Sequence, residues 1–348
     1  MIGIEPQKPH SARFGQETAE RQALAPELAA FFKKYWFFAG IVLAVLGGFA
    51  FRGLHGWLRE YDVLTIGIFV AFFITGLTLD TSHLSRQLRQ PKAPLAAMIS
   101  SLIFIPLLSW LLARSVFPHE FVLGICIIAT APVTVVSGTV MTALGKGNVP
   151  LSLFICVLGN FVGVFTIPFS LKLLVAAGGH VNLPVLKMLA GLVVTVLVPI
   201  ALGTLFQSPL KAFQSRFGRA FSVFQQSIVL LIIFNAVAGS GANIRAAGAH
   251  LPLLLAFIIC LHAVILAMNY GISRIIGLDR PATAAFTIHT SQKTLAVSYL
   301  VWSGHFASQY PLALIPGIVY HLTQMIMDTM VAERFGKLSD DPYTYRHK

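Results

Sequence analysis

The chain has 348 residues, of which 56% are hydrophobic and only 11% are charged, whereas soluble domains usually carry about 25% charged residues. Side chains this apolar cannot all be hidden in one water-soluble core, so the composition excludes a soluble domain and predicts an all-α protein that uses lipid as its solvent. The formal net charge of +12 would suggest a nucleic-acid partner on a soluble protein, but the basic residues lie mostly in short connections, which is typical of membrane topology.

Ten apolar runs follow a polar N-terminal tail, residues 1–34, in which Ser11–Lys34 is expected to be either an amphipathic surface helix or disordered. Each run is about long enough to cross a bilayer as a helix. A polar C-terminal tail, residues 335–348, ends the chain. The predicted spans are Tyr35–Phe51, Tyr61–Leu79, Pro94–Phe117, Glu120–Leu144, Val149–Ala177, Pro184–Phe206, Arg219–Ala242, His250–Ile276, Pro281–Trp302 and Leu312–Ala332.

The distribution of Lys and Arg predicts the orientation. Basic residues are more frequent in the tails and in the even-numbered connections, which places both termini in the cytoplasm of a cell with the protein in its plasma or inner membrane. Ten spans divide into two sets of five, and an odd number per set turns the second half upside down. This is the arrangement of inverted-repeat transporters, whose binding sites lie where corresponding helices are broken near the midplane.

The fourth span contains such an interruption. Pro132 removes an amide donor and Gly138 loosens the helix, while Thr134 and Ser137 bring hydroxyl groups. Unwound backbone at this point would expose carbonyls that coordinate a cation and a half-helix N-terminus that attracts an anion. The structural alternative is a proline kink whose freed carbonyls are satisfied by the hydroxyls.

The ninth span is interrupted at the corresponding place and contains Lys293. A lysine at the membrane centre is costly and usually marks a functional site. Because desolvation favours the neutral amine, Lys293 can act as a proton carrier, or it can stand as a fixed cation in the place of a metal ion. The structural alternative is a lysine that caps carbonyls of the broken helix. The polar neighbours in this span are His289, Thr290, Ser291, Gln292 and Thr294.

Two further spans carry candidate binding residues. Ser152 and Asn160 share one face of the fifth span, which either packs against the broken fourth span or binds an ion. His321 and Gln324 lie one turn apart in the tenth span, and Asp328 is expected to pair with Lys293 or to face a water-filled crevice. Single polar residues such as His262 are interpreted as interhelical hydrogen bonds. No nucleophile, metal-ligand or nucleotide motif is present, so no catalytic residue and no cofactor are predicted.

These motifs resemble the bile acid:sodium symporter family, solute carrier 10, in the SBF-like branch related to its seventh member. The resemblance is carried by the segments 131–138, 140–148 and 152–168, by Ser291-Gln292-Lys293-Thr294-Leu295-Ala296 and by Tyr320-His321 with Gln324. It implies two inverted five-helix repeats in which spans four and nine are discontinuous and cross. It also implies a panel domain (residues 35–79 and 184–242), a core domain (residues 94–177 and 250–334) and alternating access.

The resemblance implies a secondary transporter for an amphipathic organic anion, coupled to sodium or to protons. Ser101, Ser137 and Ser152 match the family's sodium ligands. The chain departs from the family because the ninth span has no carboxylate, Gly138 stands where an asparagine is common, and Cys156 replaces a ligand. Lys293 is therefore a candidate replacement for one sodium ion. The alternatives are a cation/proton antiporter and a membrane regulator that transports nothing.

Overall fold

The computed structural model describes residues 36–37, 39–79, 91–134, 136–176, 183–246 and 248–340. Most of these residues are helical, and no strand occurs among them. The prediction of a surface helix or disordered tail before residue 35 lies outside the described residues, as does the turn expected after the fifth span. The all-α prediction is confirmed for the part of the chain that is described.

Thirteen helices follow one another through the described ranges, with short 3₁₀ turns at Gly248–His250 and Pro311–Leu314. They are α1 Ala39–Ala50, α2 Leu54–Glu60, α3 Val63–Thr78, α4 Lys92–Ala113, α5 His119–Thr130, α6 Val136–Leu144, α7 Val149–Ala176, α8 Val185–Leu205, α9 Lys211–Ala246, α10 Leu251–Ile275, α11 Arg280–Ser291, α12 Leu295–His305 and α13 Ile315–Asp340.

Five of these helices, α4, α7, α8, α9 and α10, are long and apolar enough to cross a membrane. The bent pair α1 and α2, which meet at 101°, raises the number to six if it forms one span. The protein is therefore a multi-pass membrane protein. Of the other predicted spans, α3 is short, and α5–α6 and α11–α12 are each divided into two helices. Helix α13 has 26 residues but is not apolar enough to be counted among the five. Length and composition thus support five or six spans, and the inverted repeat of ten stays a prediction.

Small residues bring α3 and α8 close together. A Cβ atom at Gly76 would collide with the carbonyl of Ile200, and one at Gly203 would collide with the carbonyl of Phe73. Such approach of backbones is what small residues provide in membrane helices, where lipid offers no hydrophobic drive for association. Helix α9 also packs on α3. These contacts join three of the spans assigned to the panel domain, while the division into two domains stays a prediction.

Two π-turns interrupt long helices just before a proline. They lie at Ser100–Phe104 in α4, ahead of Pro106, and at Val193–Leu197 in α8, ahead of Pro199. Proline lacks an amide hydrogen and its ring pushes away the carbonyl four residues earlier, so the hydrogen-bond register widens at these places. The first π-turn matters for the site, because it leaves one carbonyl without a helical partner.

The start of α11 is fixed by its sequence. Gly277 adopts φ +73° after α10 has ended, which reverses the chain at little steric cost. The side chain of Asp279 then accepts a hydrogen bond from the amide of Ala282, and Pro281 occupies the first turn. The amide of Asn148 donates to the Pro281 carbonyl at 2.8 Å, which ties the end of α6 to the start of α11.

Helix α13 differs from the sequence prediction at its C-terminal end. The tenth span was expected to end at Ala332 and to be followed by a polar tail, but the helix continues to Asp340. The added turns carry the good helix formers Glu333, Arg334 and Lys337. They also pack on α6, where a Cβ atom at Gly336 would lie 2.9 Å from the Leu144 carbonyl, and Phe335 packs against a buried cluster that includes Met141.

Candidate functional site

The two broken helices meet at their interruptions. The first break, residues 131–134, separates α5 from α6, and the second break, residues 292–294, separates α11 from α12. The amide of Thr294 donates to the carbonyl of Pro132 at 2.9 Å, so the two breaks are hydrogen-bonded to each other. The predicted pair of interruptions in spans four and nine is present, and their predicted meeting point is a direct backbone contact.

Every carbonyl of the first break accepts a hydrogen bond from elsewhere in the protein. In addition to Thr294, the donors are Lys293 Nζ to Ala131 at 3.0 Å, Asn160 Nδ2 to Val133 at 3.2 Å and His289 Nε2 to Thr134 at 2.8 Å. Carbonyls left unpaired in a membrane interior would cost several kcal/mol each, roughly. The second break and its flanks supply three of the four donors.

Lys293 is fully buried, and its ammonium group contacts only uncharged oxygens among the described residues. Nζ lies 2.6 Å from the carbonyl of Ser101, 2.9 Å from the Ser101 hydroxyl and 3.0 Å from the carbonyl of Ala131. In the π-turn each amide donates to the carbonyl five residues earlier, as the Ile105 amide does to Ser100. The Ser101 carbonyl would therefore need the amide hydrogen of residue 106, which is a proline and has none. The lysine therefore caps two orphaned carbonyls, as the structural alternative predicted.

Gln324 on α13 clamps the second break. Its Oε1 accepts from the Lys293 amide at 2.8 Å, and its Nε2 donates to the Lys293 carbonyl at 2.9 Å. The same Nε2 lies 2.9 Å from Nδ1 of His321, which must accept because the amide group donates. A neutral imidazole then carries its proton on Nε2.

A hydroxyl–amide cluster joins the two breaks at the level of α6. Oε1 of Gln292 accepts from Thr134 at 2.5 Å and from Ser137 at 2.9 Å, and the Thr134 hydroxyl also accepts from the amide of Gly138 at 3.1 Å. Nε2 of Gln292 is buried and has no partner among the described residues. An unpaired buried donor next to a cluster of hydroxyls is a place where a water molecule or an anion would bind.

The imidazole of His289 fills the space between α6 and α7. Since Nε2 donates to the Thr134 carbonyl, Nδ1 of a neutral ring accepts from the hydroxyl of Ser152, with which it makes a short contact. A Cβ atom at residue 138 would lie 2.7 Å from this ring, which explains why glycine is found there. The Ser152 hydroxyl is thus engaged by a side chain of the protein itself.

A cleft of about 380 Å³ lies on one side of the crossing. It follows α6 from Val136 to Leu144 and is closed on the opposite side by α3 and α9. Four of the predicted binding residues line it: Thr134, Ser137, Thr294 and His321. The described lining contains no Asp, Glu, Lys or Arg.

The other predicted binding residues lie behind the crossing or away from the cleft. Asn160 lines a separate, almost wholly apolar cavity of about 190 Å³, and its buried Oδ1 has no hydrogen-bond partner within the described ranges. The remainder are buried and make the contacts described above or bonds to helix α10: Ser101, Ser152, Ser291, Gln292, Lys293 and Gln324. No group of three or more His, Cys, Asp or Glu side chains suited to a metal ion occurs in the described ranges.

Sequence reasoning missed one buried polar pair. Asp328 was expected to pair with Lys293 or to face water, but its Oδ1 lies 2.8 Å from Nε2 of His262 on α10, and both side chains are fully buried. The 66-residue separation gives no local signal, and only the rarity of intramembrane ionisable residues points to the pair.

Comparison with known proteins gives consistent relatives. The model of the SBF-like CPA transporter family matches residues 35–337. A probable chloroplastic sodium/metabolite cotransporter of Oryza sativa subsp. indica is 29% identical over 310 residues, which cover 84% of this chain and 72% of that protein. Its namesake in Arabidopsis thaliana is 28% identical over 341 residues, covering 94% and 78%. The sodium/bile acid cotransporter 7 of Xenopus tropicalis is 25% identical over 313 residues, covering 86% and 91%. The resemblance noted from the sequence motifs is confirmed.

Proposed function

Because the chain belongs to the SBF-like CPA transporter family, and so is a transporter and not an enzyme, we propose that it carries an amphipathic organic anion across the membrane by alternating access, coupled to an ion gradient. The two inverted five-helix repeats and the panel and core domains are part of this proposal. They would allow the crossing to be approached from either side in turn.

The observation that supports this proposal is the position of the α12 N-terminus. Thr294 precedes the helix without a side-chain cap, and Leu295 and Ala296, whose amides have no helical acceptor, line the cleft. Helix α6 begins at Val136 on the same cleft. Both helix N-termini border the cavity. The free amides and the dipole of α12 favour a bound anion there, while in α6 the Gly138 amide already donates to the Thr134 hydroxyl.

The rest of the lining indicates the class of anion. Without a charged side chain, the cleft would bind a single negative charge by hydrogen bonds and not by ion pairing. Apolar side chains such as Trp36, Phe37, Phe72 and Met325 make up much of the rest of the lining. A molecule with an anionic group at one end and an apolar body suits these two parts.

Uptake into proteoliposomes tests the proposal. A panel of labelled anions that includes taurocholate, estrone sulfate and pyruvate is offered under sodium and proton gradients in turn. We expect uptake of an amphipathic member, reduced at least tenfold in Thr294→Val and unchanged in Thr195→Val, whose exposed hydroxyl bonds only within α8. No uptake of any member under any gradient would contradict the proposal.

Two coupling ions are supported by different observations. The relatives are named as sodium cotransporters, which supports sodium as the coupling ion. The contacts in this chain support protons, because each of the hydroxyls expected to bind sodium is hydrogen-bonded to another side chain: Ser101 to Lys293, Ser137 to Gln292 and Ser152 to His289. A neutral-oxygen site that also lacks a carboxylate would hold sodium weakly.

The predicted orientation makes this an inward-facing form in the plasma or inner membrane. The cleft follows α6 to its last residue, Leu144, and the connection that follows is predicted to be cytoplasmic. In a Cys260→Ser background, Val140→Cys should react with a membrane-impermeant maleimide added to inside-out vesicles and stay unreacted in right-side-out vesicles. The reverse pattern would invert the proposed topology.

A further inference from the structure

Outside the crossing, α10 and α13 share a buried ionisable pair. Among the described residues, Asp328 is the only acidic side chain that is fully buried, and its one hydrogen bond is to His262 at 2.8 Å. The second carboxylate oxygen, Oδ2, is buried and has no hydrogen-bond partner in the described part of the chain. A fully buried carboxylate with an unpaired oxygen is costly unless a proton or a cation neutralises it.

The hydrogen bonds determine how many protons the pair holds. The Tyr320 hydroxyl has one proton, which it donates to the carbonyl of Ser291 at 3.0 Å. Nδ1 of His262, 3.1 Å from the Tyr320 oxygen, must therefore donate to it. Between Nε2 of His262 and Oδ1 of Asp328 one further proton is required. The pair is then neutral overall, either as imidazolium and carboxylate or as imidazole and carboxylic acid.

We propose that His262 and Asp328 form a proton-binding site that controls the second break through Tyr320. Loss of one proton leaves a neutral imidazole and an ionised carboxylate. Nε2 then keeps its hydrogen for Asp328, and the bare Nδ1 attracts the Tyr320 hydroxyl. The hydroxyl turns away from the carbonyl of Ser291, which is the last residue of α11 before the break.

The described residues around the pair supply no other charge that could take over this role. His289 and Lys293 are bonded to the first break, to Ser101 and to Ser152, and neither bonds to the pair. Helices α4 and α5 face Tyr320 with Ile105, Ile125 and Ile128. The remaining titratable side chain next to Tyr320 is that of His321, which is bonded to Gln324.

Burial explains how proton binding would be linked to transport. In the conformation described, both side chains are closed to solvent, so releasing the proton would leave an isolated negative charge. A conformation that admits water to the pair would permit release. This step deepens the proposed function, since the proton would be the coupling ion, but the proton site itself can be tested without any transported solute.

Spectroscopy of the detergent-purified chain is the first test. At about pH 8, above the ordinary pKa of about 6.5 for a free histidine, nitrogen NMR of labelled histidines should show one doubly protonated ring, or infrared spectroscopy should show one protonated carboxyl group. A doubly protonated ring should disappear in both Asp328→Asn and His262→Gln. A protonated carboxyl group should disappear in Asp328→Asn and persist in His262→Gln, because the buried carboxyl group then has no cation beside it. Either signal should remain in Glu333→Gln, which changes an exposed acid on the same helix. Absence of both signals in the wild type would overturn the proton site.

Proton flux is the second test. Proteoliposomes that contain a pH-sensitive dye receive taurocholate, sodium or potassium. We expect a proton flux with at least one of them, reduced at least tenfold in Asp328→Asn and severalfold in Tyr320→Phe, and unchanged in Glu333→Gln. Flux with sodium or potassium alone would assign the protons to cation exchange. If the spectroscopic test is positive and no proton flux occurs with any of the three, the proton is bound but not transported. That result would overturn the proposed proton coupling.

The two proposals can fail separately. Anion uptake at the wild-type rate in Asp328→Asn, without proton movement, would contradict the proton coupling and leave the transporter proposal standing. A proton signal at His262 and Asp328 in a protein that takes up no anion would support the proton site and contradict the proposed anion transport.

Discussion

Both breaks interrupt a helix with non-helical backbone, and their chemistry is opposite. The first break, residues 131–134, presents carbonyl oxygens and has no ionisable side chain, whereas the second break, residues 292–294, contains Lys293 and follows His289. The carbonyls of the first break receive hydrogen bonds from the second break and from His289 beside it, while the Thr134 hydroxyl donates in the opposite direction to Gln292. Neither interruption could therefore be stable alone in a membrane, because each supplies hydrogen-bond partners that the other lacks.

The dependence is asymmetric. The second break is also held from α13, where Gln324 bonds both polar groups of the Lys293 peptide unit. Of the described residues outside the pair of broken helices, only Asn160 donates a hydrogen bond to a carbonyl of the first break. A change in the second break should therefore disturb both, while a change at α13 should act mainly on the second break.

The largest effect is expected from Lys293→Ala. Two carbonyls, those of Ser101 and Ala131, lose their donor, and ion-coupled uptake of the organic anion should be abolished while the protein still folds. Uptake in proteoliposomes and the thermal midpoint in detergent measure the two consequences. The matched control is Lys187→Ala, an exposed lysine at the start of α8, which should leave both unchanged.

Unchanged uptake with unchanged ion and pH dependence in Lys293→Ala would contradict a role for the lysine in coupling. A purely structural lysine would instead lower the thermal midpoint and leave the ion dependence of the remaining uptake as it is in the wild type.

Gln324→Glu should have the next largest effect. A carboxylate can accept from the Lys293 amide but cannot donate to the Lys293 carbonyl or to Nδ1 of His321. Each acceptor left unpaired costs about 1–3 kcal/mol, so the free energy of unfolding in denaturant should fall by at least that amount. Gln309→Glu, at an exposed position, is the control. Equal stability of the two variants would show that the clamp contributes nothing.

Much of the crossing could be predicted from the sequence. Pro132 and the intramembrane Lys293 each violate the pattern of an apolar helix, and such violations are local and visible. The corresponding positions of the two interruptions in the chain predicted that they belong together. The structure places them in contact, as the Thr294–Pro132 hydrogen bond shows.

The partners of these residues could not be predicted. Lys293 contacts Ser101 because Pro106 and the π-turn free a carbonyl 192 residues away, and no periodicity reports that. The interhelical hydrogen bond expected of His262 is confirmed, but its partner Asp328 could not be identified, since partner choice is a property of helix packing. The helical turns after Ala332 were not predicted, because they depend on packing against α6 that the sequence does not show.

Gly138→Ala should have a moderate effect that tests the fit of His289 behind the first break. The new methyl group would lie 2.7 Å from the imidazole ring, and overpacking of this kind costs about 1–3 kcal/mol. Gly191→Ala, where nothing lies within 4 Å, should instead stabilise by about 0.4–1 kcal/mol. In the double variant with His289→Ala the methyl group has room, so the combined cost should be less than the sum. Strict additivity would show that the ring and the glycine are not matched.

The smallest effect is expected from exchanging sodium for potassium, and it tests directly whether Lys293 stands in the place of an ion. Sodium and potassium at equal ionic strength should give the wild type the same thermal midpoint, because Lys293 already occupies the oxygens of Ser101 and Ala131. A specific ion at 100 times its Kd would add about 2.7 kcal/mol, which such a measurement detects. In Lys293→Ala these oxygens are vacated, and sodium should then raise the midpoint more than potassium does. Sodium-specific stabilisation of the wild type would mean that an ion site persists beside the lysine, whereas its absence from both proteins would mean that the lysine caps carbonyls without standing in for an ion.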